Sequence, residues 1–435
     1  MSNLTRQDIA EYALEALLKA GADKAACKVE RGRKEELNVE ASKFSLLRTL
    51  FDDELYLKAI CGGRKGVAAI NKLDKDSIDK AVADCISLAE SSMPDDAEDV
   101  AEKIGNSSFD DCIGGPDMDR LFSRSKELLE QISDEFPKIE LGNMVTDFSA
   151  AQETYLNSKG VEFHREFECY SAQAMFSAVD GEKTSSFSGY GAYTTSLDVP
   201  FLDTGIFRTL LAESEKSLDT RMVDSKFVGK LIVTPACEDI IWGTLLDCFL
   251  SDRPMVEGTS RWKDALGTKV ADQKLTMRFA PLHPSVVAGE RFTVDGYESR
   301  DADIIQNGKL LSFALSLYGS LKTGHPRAKN TAFDNIEVAA GDTSLADMIK
   351  GVERGILLNR FSGAAPGPSG DVSGIAKNSF LIENGTVTDA LSETMISFNI
   401  VDALSNIPAI SKEVCVNGAS ILPWCCFDGV TISGK

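Results

Sequence analysis

Metal-assisted and nucleophilic catalysis both need imidazoles, thiolates or carboxylates held close together, and this 435-residue sequence has few imidazoles and many thiols. Its 3 histidines stand at 164, 283 and 325, and no two lie within four residues of each other. A single helix face therefore cannot offer two of them to one metal. His283 and His325 each precede a proline, which favours extended or turn backbone. The 10 cysteines, at 27, 61, 85, 112, 169, 237, 248, 415, 425 and 426, include no C-x-x-C pair. Most stand in apolar runs, as Cys61 and Cys248 do, where a reduced thiol packs as a small hydrophobe. Adjacent Cys425 and Cys426 would point to opposite faces of a strand and make a poor metal clamp. His164 and Cys169 are close enough in sequence to raise a cysteine-hydrolase alternative, in which the imidazole would serve as base.

Phosphate chemistry finds little support. Gly189-Tyr-Gly191 is a fragment of a dinucleotide fingerprint without the strand–turn–helix context. The Gly-, Pro- and Ser-rich stretch 363–374 reads as an ordered surface loop rather than a phosphate cradle. The net charge of −21 disfavours a nucleic-acid partner, and the densest basic run, Arg31-Gly-Arg-Lys34, is flanked by Glu30, Glu35 and Glu36. No apolar run is long enough for a membrane span. The start, Met1-Ser-Asn-Leu-Thr-Arg-Gln-Asp8, carries no secretory pattern, so a cytoplasmic protein is expected.

The elements that would position a site can be read from periodicity. Thr5 with Asp8 forms a capping box ahead of an apolar face at Ile9, Ala13, Ala16, Leu17 and Ala20. Strands follow around Leu37–Val39 and over Lys43–Phe51, Asp52-Asp53 is expected to turn the chain, and alternation resumes from Leu55 to Cys61. A loop at 62–66 leads to Val67–Ile70 and a helix over about 75–89. Residues 94–112 carry seven acidic residues against one lysine and read as a linker or long surface loop. A helix over about 118–135 precedes strands near 140–148 and 153–157 and a hairpin turn at 157–161. Strands dominate thereafter, interrupted by helices at 207–218, 236–250 and 344–354. In the 236–250 helix, Ile241, Leu245 and Phe249 repeat at i, i+4 and i+8 while Ile240, Trp242 and Leu246 widen the apolar surface, as in a helix buried on most sides. Glu238 and Asp239 are expected in its first turn, where acids suit the helix dipole.

The order of segments carries a further signal. Gly66-Val-Ala-Ala-Ile70 precedes an Ala-rich helix. Leu231-Ile-Val-Thr-Pro235 leads into Ala236-Cys-Glu-Asp-Ile-Ile-Trp-Gly243, followed by Val256-Glu-Gly-Thr-Ser260 and Leu266-Gly-Thr-Lys-Val270. The C-terminal stretch reads Gly355-Ile-Leu-Leu-Asn-Arg-Phe-Ser-Gly363, Phe380-Leu-Ile-Glu-Asn-Gly385, Met395-Ile-Ser-Phe-Asn-Ile-Val-Asp402 and Asp428-Gly-Val-Thr-Ile-Ser-Gly434. This series resembles the TldD/PmbA family, also called the modulator of DNA gyrase family, whose chemistry is zinc-dependent peptide hydrolysis. Catalytic members carry H-E-x-x-x-H on the helix corresponding to 236–250 and a distant cysteine ligand, near which Cys415 falls here. A metal so held lowers the pKa of its water, and the Glu can take the proton. The 236–250 helix has no histidine, as in the PmbA/TldE branch, whose members lack the zinc motif and assemble with a TldD-type catalytic subunit.

The resemblance implies an α+β fold: an N-terminal helix–sheet–helix domain over 1–93, an acidic linker or loop over 94–117, a middle α+β segment over 118–224 and a strand-rich domain over 225–435. It implies a subunit of a zinc metallopeptidase acting on unstructured peptides, with no cofactor of its own, zinc expected on the partner, and a dimer with a TldD-type chain or with itself. No catalytic residue is assigned. The segment Tyr318–Thr331 resembles the family's loop ending in Gly-Asn, whose backbone groups could receive an extended chain by strand addition, so Asn330 and Thr331 are the candidate substrate-binding residues, against a plain turn with local Asn capping, and Cys415 is a fallback metal ligand. A homodimeric peptide-binding protein and a peptidase with a different centre are the alternatives.

Overall fold

The computed structural model describes residues 4–103 and 105–434. The first helix, α1 (Arg6–Lys19), begins with the expected reciprocal cap: the Thr5 N–H donates to the Asp8 carboxylate at 2.8 Å, and the Asp8 N–H donates to the Thr5 hydroxyl at 3.1 Å. Ile9, Ala13 and Leu17 on its inner face are fully buried.

Two long strands follow, β1 (Lys24–Glu40) and β2 (Lys43–Cys61), paired antiparallel along their whole length. Here the chain departs from expectation, because Asp52-Asp53 is not a turn. Both residues lie within β2, opposite Gly32 and Arg31, and the Arg31 Nε lies 3.7 Å from the Asp53 carboxylate. The reversal occurs instead at Ala41 and Ser42, with φ of 44° and 59°. Left-handed backbone at two residues that are neither Gly nor Asn gives no sequence signal.

Next come β3 (Arg64–Ile70), α2 (Lys75–Ser91), β4 (Asn106–Asp111), α3 (Met118–Glu135), β5 (Ile139–Asn157), β6 (Glu162–Asp180), β7 (Lys183–Thr184), β8 (Ser188–Thr194) and α4 (Phe207–Lys216). The sheet order is β3-β2-β1-β5-β6-β4, with β7 and β8 also on β6. Since β1 pairs with β5 from Ala26 to Glu40, segments 1–93 and 118–224 build one sheet rather than two units. The 94–117 stretch between them is no free linker either. Val100 and Ala101 are buried, Glu98 is ion-paired to Lys58 at 3.3 Å and also to Lys65, and β4 lies parallel to β6. Its alternating exposure in Asn-Ser-Ser-Phe-Asp-Asp is a strand pattern that the acidic composition hides. Helices α1 and α2 cover a core at one end of this sheet (Ala25, Cys27, Leu55, Leu57, Ala59), while α3 and α4 cover a second one (Leu37, Met144, Phe148, Tyr170, Phe176).

The rest of the chain forms a 14-stranded sheet around the long strand Ile421–Ser433; Phe227–Val233 pairs antiparallel with it and, on its other edge, parallel with Arg354–Leu358. Its central strands are apolar on both faces: Cys425 and Phe427 enter one core, and Cys426 enters another with Ile232 and Ile382. Asn384-Gly385 makes a hairpin turn, with φ of 50° and 74°, as an Asn-Gly pair favours. The two sheets meet where Phe292 packs on Phe163, with centroids 5.4 Å apart, and on Tyr155 at 6.2 Å. No described helix is long and apolar enough to cross a membrane.

Candidate functional site: an interdomain cavity and a helix without metal donors

The segment expected as one helix over 236–250 divides in two. An α-helix, α5 (Asp239–Leu245), passes into a single π turn over Leu246–Leu250. Ile241, Leu245 and Phe249 are fully buried, in agreement with a helix packed on most sides. Glu238 departs from its expected role. It sits at the helix entrance with its carboxyl turned inward, 1% exposed, accepting from Trp242 Nε1 at 2.6 Å. Burial pushes its pKa up to about 8, only partly opposed by the Trp242 bond, so at neutral pH it is mostly an uncharged acid and gives little to the helix dipole.

The donor set around α5 does not fit zinc. Cys237 is a buried thiol pushed up to about 12, and Glu238 is committed to Trp242. Among the described residues no three of His, Cys, Asp and Glu gather into a group that could hold a metal. The histidines are placed elsewhere: His164 between Thr154 and Glu162, His283 accepting from the Ser285 N–H, and His325 against the Phe313 ring. Cys415 lies on the strand Ala409–Val416 in the core that α3 and α4 cover, with its thiol pushed up to about 11 by burial. His164 and Cys169 are an odd number of residues apart on β6 and so face opposite sides of it. Cys169 is itself pushed up to about 12 by burial, the reverse of an activated nucleophile.

A cavity of about 890 Å³ opens where the first sheet meets the loops of the second domain. Tyr56, Tyr155 and Phe292 supply aromatic walls, and Tyr318 stands at its edge with the Lys65 ammonium 5.3 Å above the ring. Its volume suits a ligand of a few residues, and a domain boundary is where such sites gather. The cations lining it are answered within the protein. Lys28 pairs with Glu153 at 2.5 Å, Lys58 and Lys65 share Glu98, and Arg165 and Arg291 both reach Asp111, at 3.2 and 2.5 Å. Four of the lining carboxylates, Glu54, Asp252, Glu290 and Asp295, have no ion pair among the described residues, and Glu290 is held by Ser299 and Thr331 instead. Asp252 accepts only from Ser316, and Asp295 accepts from the Leu317 N–H at 2.8 Å, with no ion pair to either among the described residues. Burial raises the Asp295 pKa, as expected of a carboxylate without a cation at contact distance. The unmet charge of the cavity is therefore negative, next to aromatic surface, an arrangement that suits an ammonium group.

Asn330 and Thr331 lie in the wall behind this cavity. Thr331 donates its N–H to Glu290 at 2.9 Å and its hydroxyl to the same carboxylate at 2.5 Å, and Glu290 lines the cavity. Asn330 is 1% exposed and donates to the Arg300 carbonyl at 3.0 Å, so its side chain braces the loop instead of facing an open groove. The preceding loop is partly helical, over Leu317–Thr323, capped by Ser316 and closed by Gly324 at φ 74°. Sequence reasoning missed Tyr56, Tyr155, Phe292 and Asp295. Their alternation reads as ordinary strand, and the one local signal, Asp295-Gly296, marks only a turn.

Residues 230–434 match the PmbA/TldA metallopeptidase C-terminal domain. The chain is 22% identical over 373 residues to the metalloprotease PmbA of Escherichia coli O157:H7, covering 81% of this chain and 79% of that protein. It is 22% identical over 427 residues to a PmbA homologue of Haemophilus influenzae, covering 93% and 90%. In fold it is similar to TldE from Thermococcus kodakarensis, with TM-score 0.79 at 19% identity over 98% of this chain and 100% of that one. A modulator of DNA gyrase from Bacteroides thetaiotaomicron aligns with TM-score 0.83 at 20% identity over 99% and 100%.

Proposed function

The chain belongs to the PmbA/TldD family of metallopeptidase homologues, and we propose that it is a PmbA/TldE-type subunit, one that receives unstructured peptide while a TldD-type partner holds the zinc and cleaves. The observation that carries this reading is the donor set of α5 and its entrance. The segment has no imidazole, Glu238 is uncharged and bonded to Trp242, and Cys237 is a buried thiol. None of these can hold a metal or take a proton from its water without first being rebuilt.

The chain's own contribution is binding. The interdomain cavity has the size for a short peptide end, and Asp295 with the Tyr56 and Phe292 rings would favour its ammonium group over a neutral cap. Thr331 acts through Glu290, whose carboxylate it holds in the wall. The same cavity supports the second reading, a homodimeric peptide-binding protein with no catalytic partner.

The test is the zinc-to-protein ratio of the purified chain after dialysis against metal-free buffer. A ratio near zero, with peptide hydrolysis appearing only on addition of a TldD-type chain, is the expected result. A ratio near one sinks the subunit reading.

A further inference from the structure

Outside the cavity, the two domains also meet at a corner built around two buried asparagines. Asn359 stands between the strands Arg354–Leu358 and Arg360–Gly363 and is 4% exposed. Its N–H donates to the Ser379 hydroxyl at 3.2 Å. Its Nδ2 donates to the Asn378 carbonyl at 2.9 Å and, across the domain boundary, to the Glu213 carboxyl of α4 at 2.6 Å. Asn378 Nδ2 in turn donates to the Ser186 and Phe187 carbonyls, each at 3.0 Å, and the Arg360 guanidinium lies 3.6 Å from the Phe187 ring centroid. Arg360 and Phe361, the next two residues after Asn359, wall a cleft of about 370 Å³ along α5. Whatever holds Asn359 therefore also holds one wall of that cleft.

One group at this corner is unmet. Asn359 Oδ1 is buried and has no donor among the described residues, although the nitrogen of the same amide makes two bonds. A buried acceptor left so costs stability. A carboxylic acid and a primary amide can pair twice, amide N–H to acid C=O and acid O–H to amide oxygen. The first of these bonds is present, and a proton on the other Glu213 oxygen is the donor that Oδ1 lacks. An ionised Glu213 has no proton to give and sets a charge beside a second acceptor. We propose that Glu213 and Asn359 form a proton-operated latch between the domains, shut while Glu213 is a neutral acid; loss of that proton to water frees α4 from Asn359 and loosens the wall of the α5 cleft.

The surroundings favour the neutral form. Glu213 lies in the last turn of α4, where the helix dipole opposes a negative charge. Lys216, on the same helix, is the cation whose charge reaches it. The other charged groups around α4 are engaged elsewhere. Lys138 pairs with Asp180 at 2.8 Å, Lys183 with Asp219, and Arg208 with Glu135 and with Asp203 at 2.9 Å, while Glu215 accepts the Lys138 N–H. On the second domain, Arg360 is held on the Phe187 ring and carbonyl, and Lys377 stands opposite Arg360 in the strand pair. Cys415 and Tyr190, in the core that α4 covers, are uncharged at neutral pH, since burial pushes the Cys415 thiol up to about 11 and raises Tyr190 further. Burial likewise pushes Glu213 up to about 7. In an opened joint water returns it toward its ordinary value near 4.5, so opening grows as pH rises between these two values and levels off above them. The latch is shut in weak acid and slack from neutral pH upward.

The test needs neither zinc nor a partner, so its outcome is independent of the subunit reading. Hydrogen–deuterium exchange of the full chain is followed from pH 5 to pH 8 for wild type, Glu213→Gln and Glu238→Gln, with each segment's rate divided by that of an unstructured chain at the same pH. A glutamine at 213 offers Asn359 the same two bonds as a neutral acid and cannot ionise. In wild type, α4 and residues 355–363 are expected to open on the order of 50-fold more at pH 7.5 than at pH 5, while α1 stays unchanged. Glu213→Gln is expected to stay flat at its pH 5 level, and Glu238→Gln to follow wild type. A flat wild-type profile overturns the proposal, as does a Glu213→Gln profile equal to wild type. A response that α1 shares overturns it as a change of global stability, and one that Glu238→Gln abolishes overturns it by assigning the proton to the other acid. Should Glu213→Gln misfold, the wild-type profiles of α4 and α1 decide alone.

Discussion

At the scale of single residues, the chemistry of this chain lies in buried acids whose pKa values burial raises toward or above neutrality. Glu238 has its pKa pushed up to about 8, and Glu213 to about 7, where burial outweighs the bond it accepts from Asn359 Nδ2 at 2.6 Å. Both values are raised on folding, so the native state holds protons that the unfolded chain has released. Their stabilising effect is complete below the unfolded pKa, near 4.5, and is lost as pH rises to about 8. A glutamine at 238 keeps an oxygen for Trp242 and cannot ionise. Glu238→Gln is therefore expected to match wild type in urea unfolding at pH 5 and to exceed it by on the order of 2 kcal/mol at pH 8. Parallel profiles for the two proteins would show that the Glu238 carboxyl is not held neutral.

At the scale of elements, close packing depends on a few positions with no room for a side chain. A Cβ on Gly66, in β3, would lie 1.9 Å from the Cys85 carbonyl oxygen and 2.6 Å from the Ala89 nitrogen, both backbone atoms of α2. Gly66→Ala must push α2 off the sheet and should cost about 2–3 kcal/mol, read as a lower urea midpoint at an unchanged slope. An unaltered midpoint would mean the helix has slack that this packing denies.

That helix was legible in the sequence, as were α1 with its capping box, α3 at its observed ends and the hairpin turns at Asn157–Val161 and Asn384-Gly385. Each is announced by local chemistry: a cap, a 3.6-residue period, or a Gly or Asn in left-handed backbone. What stayed hidden depends on partners distant in sequence. The pairing of β1 with β5 spans more than a hundred residues and merges two expected units. The turn at Ala41–Ser42 uses residues that carry no turn signature, so Asp52-Asp53 drew the expectation instead. The ends of the 236–250 helix and its π turn answer to the core around them. Of the candidate site, Thr331 could be named from sequence but not Asp295, because an aspartate becomes distinctive only when its neighbours leave it without a cation.

At the scale of the whole molecule, the cavity exists only while the two sheets are held in register, and Asp111 is one of the ties between them, beside Asp95 with Lys322 and Tyr318 and Glu213 with Asn359. It sits at the end of β4 and receives Arg291 of the second domain through Nε at 2.8 Å and Nη2 at 2.5 Å, as well as Arg165 of β6 at 3.2 Å. Burial raises its pKa, but the two guanidinium groups outweigh that and hold the carboxyl below its ordinary value. Asp111→Ala would leave Arg291, 25% exposed, without its counter-charge and Arg165, 12% exposed, with only the Glu153 carboxylate at 3.7 Å. Breaking such a pair costs about 2–3 kcal/mol once partial exposure is allowed for. The sign of the pH dependence follows from the lowered value: the tie is intact above the ordinary carboxylate pKa and is lost as pH falls through the folded one. Wild type should thus exceed Asp111→Ala in stability at pH 7, and the gap should close in acid as Asp111 takes up its proton. Because Arg291 adjoins Phe292 and lies four residues before Asp295, the variant should also lose peptide affinity in proportion to the loosened wall. A variant equal to wild type in both stability and peptide affinity at pH 7 would mean that the Phe292 contacts and the remaining cross-sheet bonds, such as Asp95 with Lys322, hold the sheets together without Asp111.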